Sequence, residues 1–127
     1  MNSARLEHVN ITVIDIDKTA SMLCKLFDWR IRWSGASLGD GKSVHVGNED
    51  EYVALYSAKT PASETYNNYN SQAGLNHVGI VVADIDATER TVKKLGFETY
   101  SHGDYEPGKR FYFRDENAIE FEVVCYQ

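Results

Sequence analysis

The chain has 127 residues, with 13 Lys and Arg against 19 Asp and Glu and a formal net charge of -6 at pH 7. That length reads as one domain able to bury a core without disulfides, and the acidic balance argues against nucleic acid or an anionic membrane as partner, because the summed field repels phosphate. No apolar run approaches the roughly 20 residues of a membrane span, and MNSARLEHVN has no apolar signal core. Cys24 and Cys125 show neither a CxxC motif nor zinc spacing, so they read as reduced thiols and the expectation is a cytoplasmic protein.

In chain order, the first element is carried by LEHVNITVIDID, Leu6 to Asp17. Alternation makes it a strand with Val9, Ile11 and Val13 on a helix-packed face and His8, Asn10 and Thr12 on the other. Asp17 is the expected cap of a helix over KTASMLCKLF that ends near Phe27 and Asp28. WRIRWS, KSVHVG and EYVALYS then read as strands separated by turn residues. The polar stretch SAKTPASETYNNYNSQAG has no period and reads as a linker.

LNHVGIVVADID, Leu75 to Asp86, then repeats the opening, sharing Leu, His, Val, Ile, Val, Asp, Ile and Asp with it. Val78, Ile80 and Val82 oppose His77, Gly79 and Val81, and Asp86 is the expected cap of a helix over ATERTVKKLG. FETYSH, KRFYFRD and AIEFEVVCY follow as strands, with Phe111 and Phe113 opposing Arg110, Tyr112 and Arg114, and Phe121 and Val123 opposing Glu120 and Glu122. The predicted fold is therefore α+β. It consists of two βαβββ modules with pseudo-twofold symmetry, module one at about 4–57, a linker at about 58–74 and module two at about 75–127, their sheets curving into a shared cleft.

Only four histidines occur, His8, His45, His77 and His102, and two of them occupy the same place in the repeat. With Glu120 on the polar face of the last strand, His8 and His77 make a set of two imidazoles and one carboxylate suited to a divalent ion, Fe, Mn, Zn or Ni, with positions left open for water or substrate. The alternative is a wet sheet face with structural histidines.

The pairing of LEHVNITV with LNHVGIVV, and the closing RDENAIEFEVV, resembles the vicinal oxygen chelate superfamily, which contains glyoxalase I, extradiol dioxygenases, fosfomycin-resistance proteins and bleomycin-resistance proteins. The resemblance implies a metal held at His8, His77 and Glu120, and a fourth ligand place that an alignment of EYVALYS with NAIEFEV puts at Ala54. Alanine neither ligates nor carries a proton, which sets the chain apart from glyoxalase I. The resemblance further implies a substrate-side role for Tyr112.

His45 is the partner of Tyr112 across the repeat, and Glu122 shares the face of Glu120 as a solvated charge, a base or an orienting group. These three are the candidate catalytic residues. Asn10, Thr12, Tyr56 and Arg110 are the candidate substrate-binding residues, while Trp29 and Trp33 are assigned to the core or a subunit contact and His102 to an exposed turn. The leading reading is a divalent-metal enzyme that chelates a small substrate through two adjacent oxygens, as a homodimer whose modules pair within a chain or exchange between chains. Alternatives are a fosfomycin-resistance-like or lactoylglutathione lyase-like enzyme, and a non-catalytic protein that stacks a flat drug on Tyr56, Tyr112 and the linker's Tyr66 or Tyr69.

Overall fold

A computed structural model describes residues 5–37, 40–59, 68–105 and 108–126. The chain divides into two compact units, Met1–Ala62 and Ser63–Gln127. The first holds β1 (His8–Thr12), α1 (Ile16–Phe27), β2 (Arg30–Ser37), β3 (Gly41–Gly47) and β4 (Tyr52–Ser57). Its four-stranded sheet runs β1-β4-β3-β2, with β1 parallel to β4 and the other pairs antiparallel. The second holds β5 (Val78–Val81), α2 (Ile85–Lys94), β6 (Thr99–Tyr105), β7 (Gly108–Arg114) and β8 (Glu120–Tyr126), in the matching order β5-β8-β7-β6. Each unit is thus the βαβββ module that the repeat predicts, and the class is α+β.

Both helices begin one aspartate earlier than their sequences suggest. Asp15 accepts the Lys18 amide at 3.1 Å and Asp84 accepts the Ala87 amide at 3.0 Å, so these two are the caps. Asp17 and Asp86 instead lie in the first turns, where their charge favours the helix dipole. In each IDID or ADID run the two aspartates are two residues apart, and the buried Ile16 and Ile85 between them settle which is inside the helix. Asp28 closes α1 at φ 57, and Gly96, at φ 94, follows α2 in the left-handed region that favours glycine.

In each unit one sheet face packs on the helix. Leu23, Val44, Val46 and Leu55 are buried in the first unit, where α1 lies on β2, β3 and β4. Phe111, Phe113, Phe121 and Val123 are buried in the second, with Phe113 and Phe121 stacked at 5.0 Å between ring centroids. On the edge strand β1 the expected helix-packed face is covered only towards its end: Val9 is exposed, Ile11 half-buried and Val13 buried. The opposite faces, rich in His, Tyr, Arg and Glu, carry the candidate site.

Candidate functional site

In the second unit the strand registers bring the predicted Tyr112, Glu120 and Glu122 onto one face with Tyr100 and Arg114. Tyr112 pairs with Glu122 and Arg114 with Glu120 across β7 and β8, and Tyr100 pairs with Tyr112 across β6 and β7. Glu122, expected as a solvated charge, is held on both sides: His77 Nε2 lies 3.2 Å from Oε1, and Arg110 Nη1 donates to Oε2 at 2.9 Å. The Arg110 and Glu122 side chains are only 15% and 14% exposed, so their charges interact in a poorly screened setting. Burial, and then the Glu122 charge, raise the pKa of Tyr112, so its phenol stays protonated and acts as a donor.

Glu120 is 2% exposed and engaged at both oxygens. Asn68 Nδ2 donates to Oε1 at 3.2 Å and the Tyr69 hydroxyl donates to the same oxygen. On Oε2 the Tyr100 hydroxyl donates at 2.6 Å and Arg114 Nη2 lies at 3.6 Å. Burial alone would raise this carboxyl, but the bonds from Tyr100 and Tyr69, the Arg114 charge and the Asn68 bond outweigh it and hold the group below the usual carboxylate range. Tyr100 is pushed up by its own burial and by the same carboxylate. A β-bulge between Tyr100 and Gly103, with Ser101 at φ 54, interrupts β6 just past Tyr100. The next residue, His102, is therefore in a strand rather than the expected turn; it is exposed, and its Nε2 pairs with Glu89 at 2.6 Å.

The first unit presents a ring ladder instead of carboxylates. His8 stacks on Tyr52 at 4.9 Å, Tyr52 on His45 at 4.7 Å, and Trp33 meets His45 at 5.1 Å, with Arg32 over the Tyr52 ring at 4.4 Å. Trp33, assigned from sequence to the core or a subunit contact, is 48% exposed, while Trp29 packs against Phe27. Burial, then the charges of His8 and Arg32, lower the pKa of His45, so this ring is neutral at physiological pH. Asn10 pairs in register with Ala54 and Thr12 with Tyr56, on the same face as His8, and Asn10 and Thr12 are exposed.

These registers correct the alignment that sets Ala54 opposite Glu120. His8 pairs with Tyr52 on β4, and Gly47 pairs with the same tyrosine. In the second unit Val78 pairs with Phe121, which sets His77 one step back beside Glu120, and Arg114 pairs with Glu120. The counterpart of Glu120 is therefore Tyr52, and Ala54 corresponds to Glu122. The sequence alignment slid by two residues because VAL and IEF match in hydrophobicity at that offset.

A second feature escaped the sequence reading although its signal was in the repeat. His8 Nδ1 lies 2.8 Å from Glu7 Oε1, and His77 Nδ1 lies 2.7 Å from Asn76 Oδ1. In both copies the residue before the histidine carries a side-chain oxygen, and it takes up Nδ1. A ring held this way presents Nε2 to a partner, the arrangement that metal-binding histidines share. Among the described residues no three His, Cys, Asp or Glu side chains are gathered as a ready metal cage. Tyr66 lies outside the described residues.

The model of the Glyoxalase/Bleomycin resistance protein/Dioxygenase superfamily matches residues 5–123. The chain belongs to this superfamily. Among solved structures it is similar to a glyoxylase/bleomycin resistance protein/dioxygenase domain from Frankia sp. EAN1pec, with TM-score 0.84 and 18% identity over 99% of this chain and 94% of that one. It is also similar to the fosfomycin resistance protein FosX from Listeria monocytogenes, with TM-score 0.74 and 19% identity over 99% and 96% of the two chains. A mutant of the Listeria FosX complexed with Mn(II) and 1S,2S-dihydroxypropylphosphonic acid matches with TM-score 0.73 and 20% identity over 99% and 93%. At these identities the likeness establishes the superfamily fold. No curated protein matches the chain in sequence. Among the described residues no helix is long and apolar enough to cross a membrane.

Proposed function

We propose that this chain is a divalent-metal-dependent enzyme of its superfamily that binds a small substrate through two adjacent oxygens, with His8, His77 and Glu120 as the metal ligands. The observation that carries the reading is the matched restraint of both repeat histidines, Nδ1 of each turned to the side-chain oxygen of the preceding residue. The donor chemistry fits: two imidazole nitrogens and one ionised, buried carboxylate suit Mn(II), Fe(II), Zn(II) or Ni(II). When bound, the ion supplies Lewis-acid polarisation of the substrate oxygens.

The remaining work falls to the chain's own side chains. Tyr112, kept protonated by burial and by Glu122, donates a hydrogen bond or a proton from its phenol oxygen. Neutral His45 has a ring nitrogen able to accept a proton. Glu122, pinned by Arg110, holds the ring of His77 at Nε2, the nitrogen that would bind the ion, and Arg110, Asn10, Thr12 and Tyr56 are the groups proposed to contact substrate. The presence of Mn(II) in the FosX complex supports manganese as the first ion to test. A homodimer in the cytoplasm completes the proposal, in keeping with the free thiols of Cys24 and Cys125.

The ring ladder of the first unit favours a second reading, a non-catalytic protein that stacks a flat ligand beside Trp33. Metal content separates the two. Protein purified without chelator and dialysed against Mn(II) is expected to retain one ion per proposed site, and Glu120→Ala to lose it; absence of stoichiometric metal under reconstitution leaves the ligand-binding reading in possession.

A further inference from the structure

Among the described residues, the buried side-chain nitrogens and oxygens that lack a hydrogen-bond partner all belong to Arg110: they are Nε and Nη2. Its remaining nitrogen, Nη1, is the one that holds Glu122 at 2.9 Å. A guanidinium is planar, and Nε and Nη2 share one of its edges, so their N–H bonds run side by side in the fork that grips the two oxygens of a single carboxylate. Orphaned buried donors are rare and destabilise a fold, more so on a charged group. Two of them on one edge point to a pair of acceptors that the chain itself does not supply.

The strand geometry sets what lies over this guanidinium. Gly103 is the ladder partner of Arg110 across β6 and β7. Tyr105, two residues on and therefore on the same face, lays its ring 5.1 Å from the guanidinium carbon. A Cβ on Gly103 would come within 2.5 Å of Tyr105 Cε1, so the ring takes this position only because residue 103 has no side chain. Tyr105 is 62% exposed, and among the described residues no side-chain hydrogen bond holds it.

We propose that the Nε–Nη2 edge of Arg110 binds the carboxylate of a small ligand, with the Tyr105 ring as the cover that the ligand displaces. A monoanionic carboxylate suits the place better than a dianionic phosphate, because Glu122 already offsets the arginine's charge. This ligand class rests on the substrate contact proposed above for Arg110 and on no metal. Failure of the protein to bind Mn(II) therefore leaves it standing, and failure to bind a carboxylate leaves the metal reading standing.

The test is a titration of metal-free protein, dialysed against EDTA, with benzoate and with inorganic phosphate at matched ionic strength, followed by two-dimensional NMR at the Arg110 Nε–H and the Gly103 amide. Benzoate is expected to saturate, to shift the Nε–H signal and to bind more tightly than phosphate. Arg110→Lys, which keeps a cation beside Glu122 but has no second edge, is expected to lose roughly tenfold or more in affinity, the scale of one hydrogen bond to a charged group. Gly103→Ala, which drives the ring off the guanidinium, is expected to gain roughly threefold or more, because a closed site lowers apparent affinity by its open fraction. Absence of saturable benzoate binding in both wild type and Gly103→Ala, full affinity in Arg110→Lys, or an Nε–H signal unmoved at saturation overturns the proposal and assigns the two donors to ordered water. Phosphate binding at least as tightly as benzoate overturns the carboxylate assignment, and unchanged or weaker binding in Gly103→Ala overturns Tyr105 as the cover. Binding by Gly103→Ala alone supports the covered fork. Should Arg110→Lys misfold, the Nε–H signal of wild type decides.

Discussion

Glu122→Ala asks whether the second unit's ion pair is structural. The change leaves Arg110 charged and 15% exposed, with its Nη1 bond lost and with Nε and Nη2 already lacking a hydrogen-bond partner among the described residues. Opposite charges about 4 Å apart at an effective dielectric near 20 interact by about 4 kcal/mol. Removing one partner of a buried pair costs about 3–5 kcal/mol, and the residual water contact at this pair lowers the expectation to roughly 2–3 kcal/mol. Arg110→Met in the Glu122→Ala background removes the stranded charge and keeps most of its volume, so the double variant is expected to recover at least about 1 kcal/mol, a coupling typical of residues in contact. Urea unfolding with a common slope measures both. A Glu122→Ala loss below about 0.5 kcal/mol, or additive effects in the double variant, refutes the reasoning and returns Glu122 to a solvated charge.

Two further outcomes follow from the local chemistry. Asp15→Ala and Asp84→Ala should each cost about 1 kcal/mol in urea unfolding, as lost caps do, whereas Asp86→Ala, and Asp17→Ala with its exposed pair to Lys42 at 3.3 Å, should each cost less than about half of that; the opposite order would return the caps to Asp17 and Asp86. Glu89 sits under Thr99, His102 and Lys93, and although burial alone would raise its pKa, those partners lower it. A lowered carboxyl stabilises the folded state above its unfolded pKa and loses that contribution as pH falls through the folded value. The stability gap between wild type and Glu89→Gln should therefore be full near pH 6 and close as pH drops below the usual carboxylate range, and a gap that widens on acidification would contradict this.

What was legible in the sequence was whatever the repeat spelled out locally. His8 and His77 sit in near-identical strings, and the alternation of Phe111, Phe113, Phe121 and Val123 marked the buried face without any tertiary information. The equivalence of Tyr52 with Glu120 was hidden because the turns between strands differ in length between the halves, and only ladder pairing fixes the offset. The surroundings of Glu120 were hidden for another reason. Asn68 and Tyr69 lie in a polar stretch with no periodicity, and Tyr100 precedes a bulge, so no pattern in the chain connects them to a carboxylate some 20 to 52 residues away. The oxygen-bearing residues Glu7 and Asn76 were in plain view, but their use depends on ring orientation, which a sequence does not carry.

The central proposal is that one ion is shared by His8 and His77, the matched histidines of the repeat. The most direct measurement is Mn(II) stoichiometry and affinity in wild type, His8→Ala and His77→Ala, taken side by side by equilibrium dialysis. The account predicts one ion per chain in wild type and a loss of roughly 100-fold or more in affinity in each single variant, since each removes a ligand of the same ion. Full affinity retained by either variant, or two independent ions per chain, would contradict it.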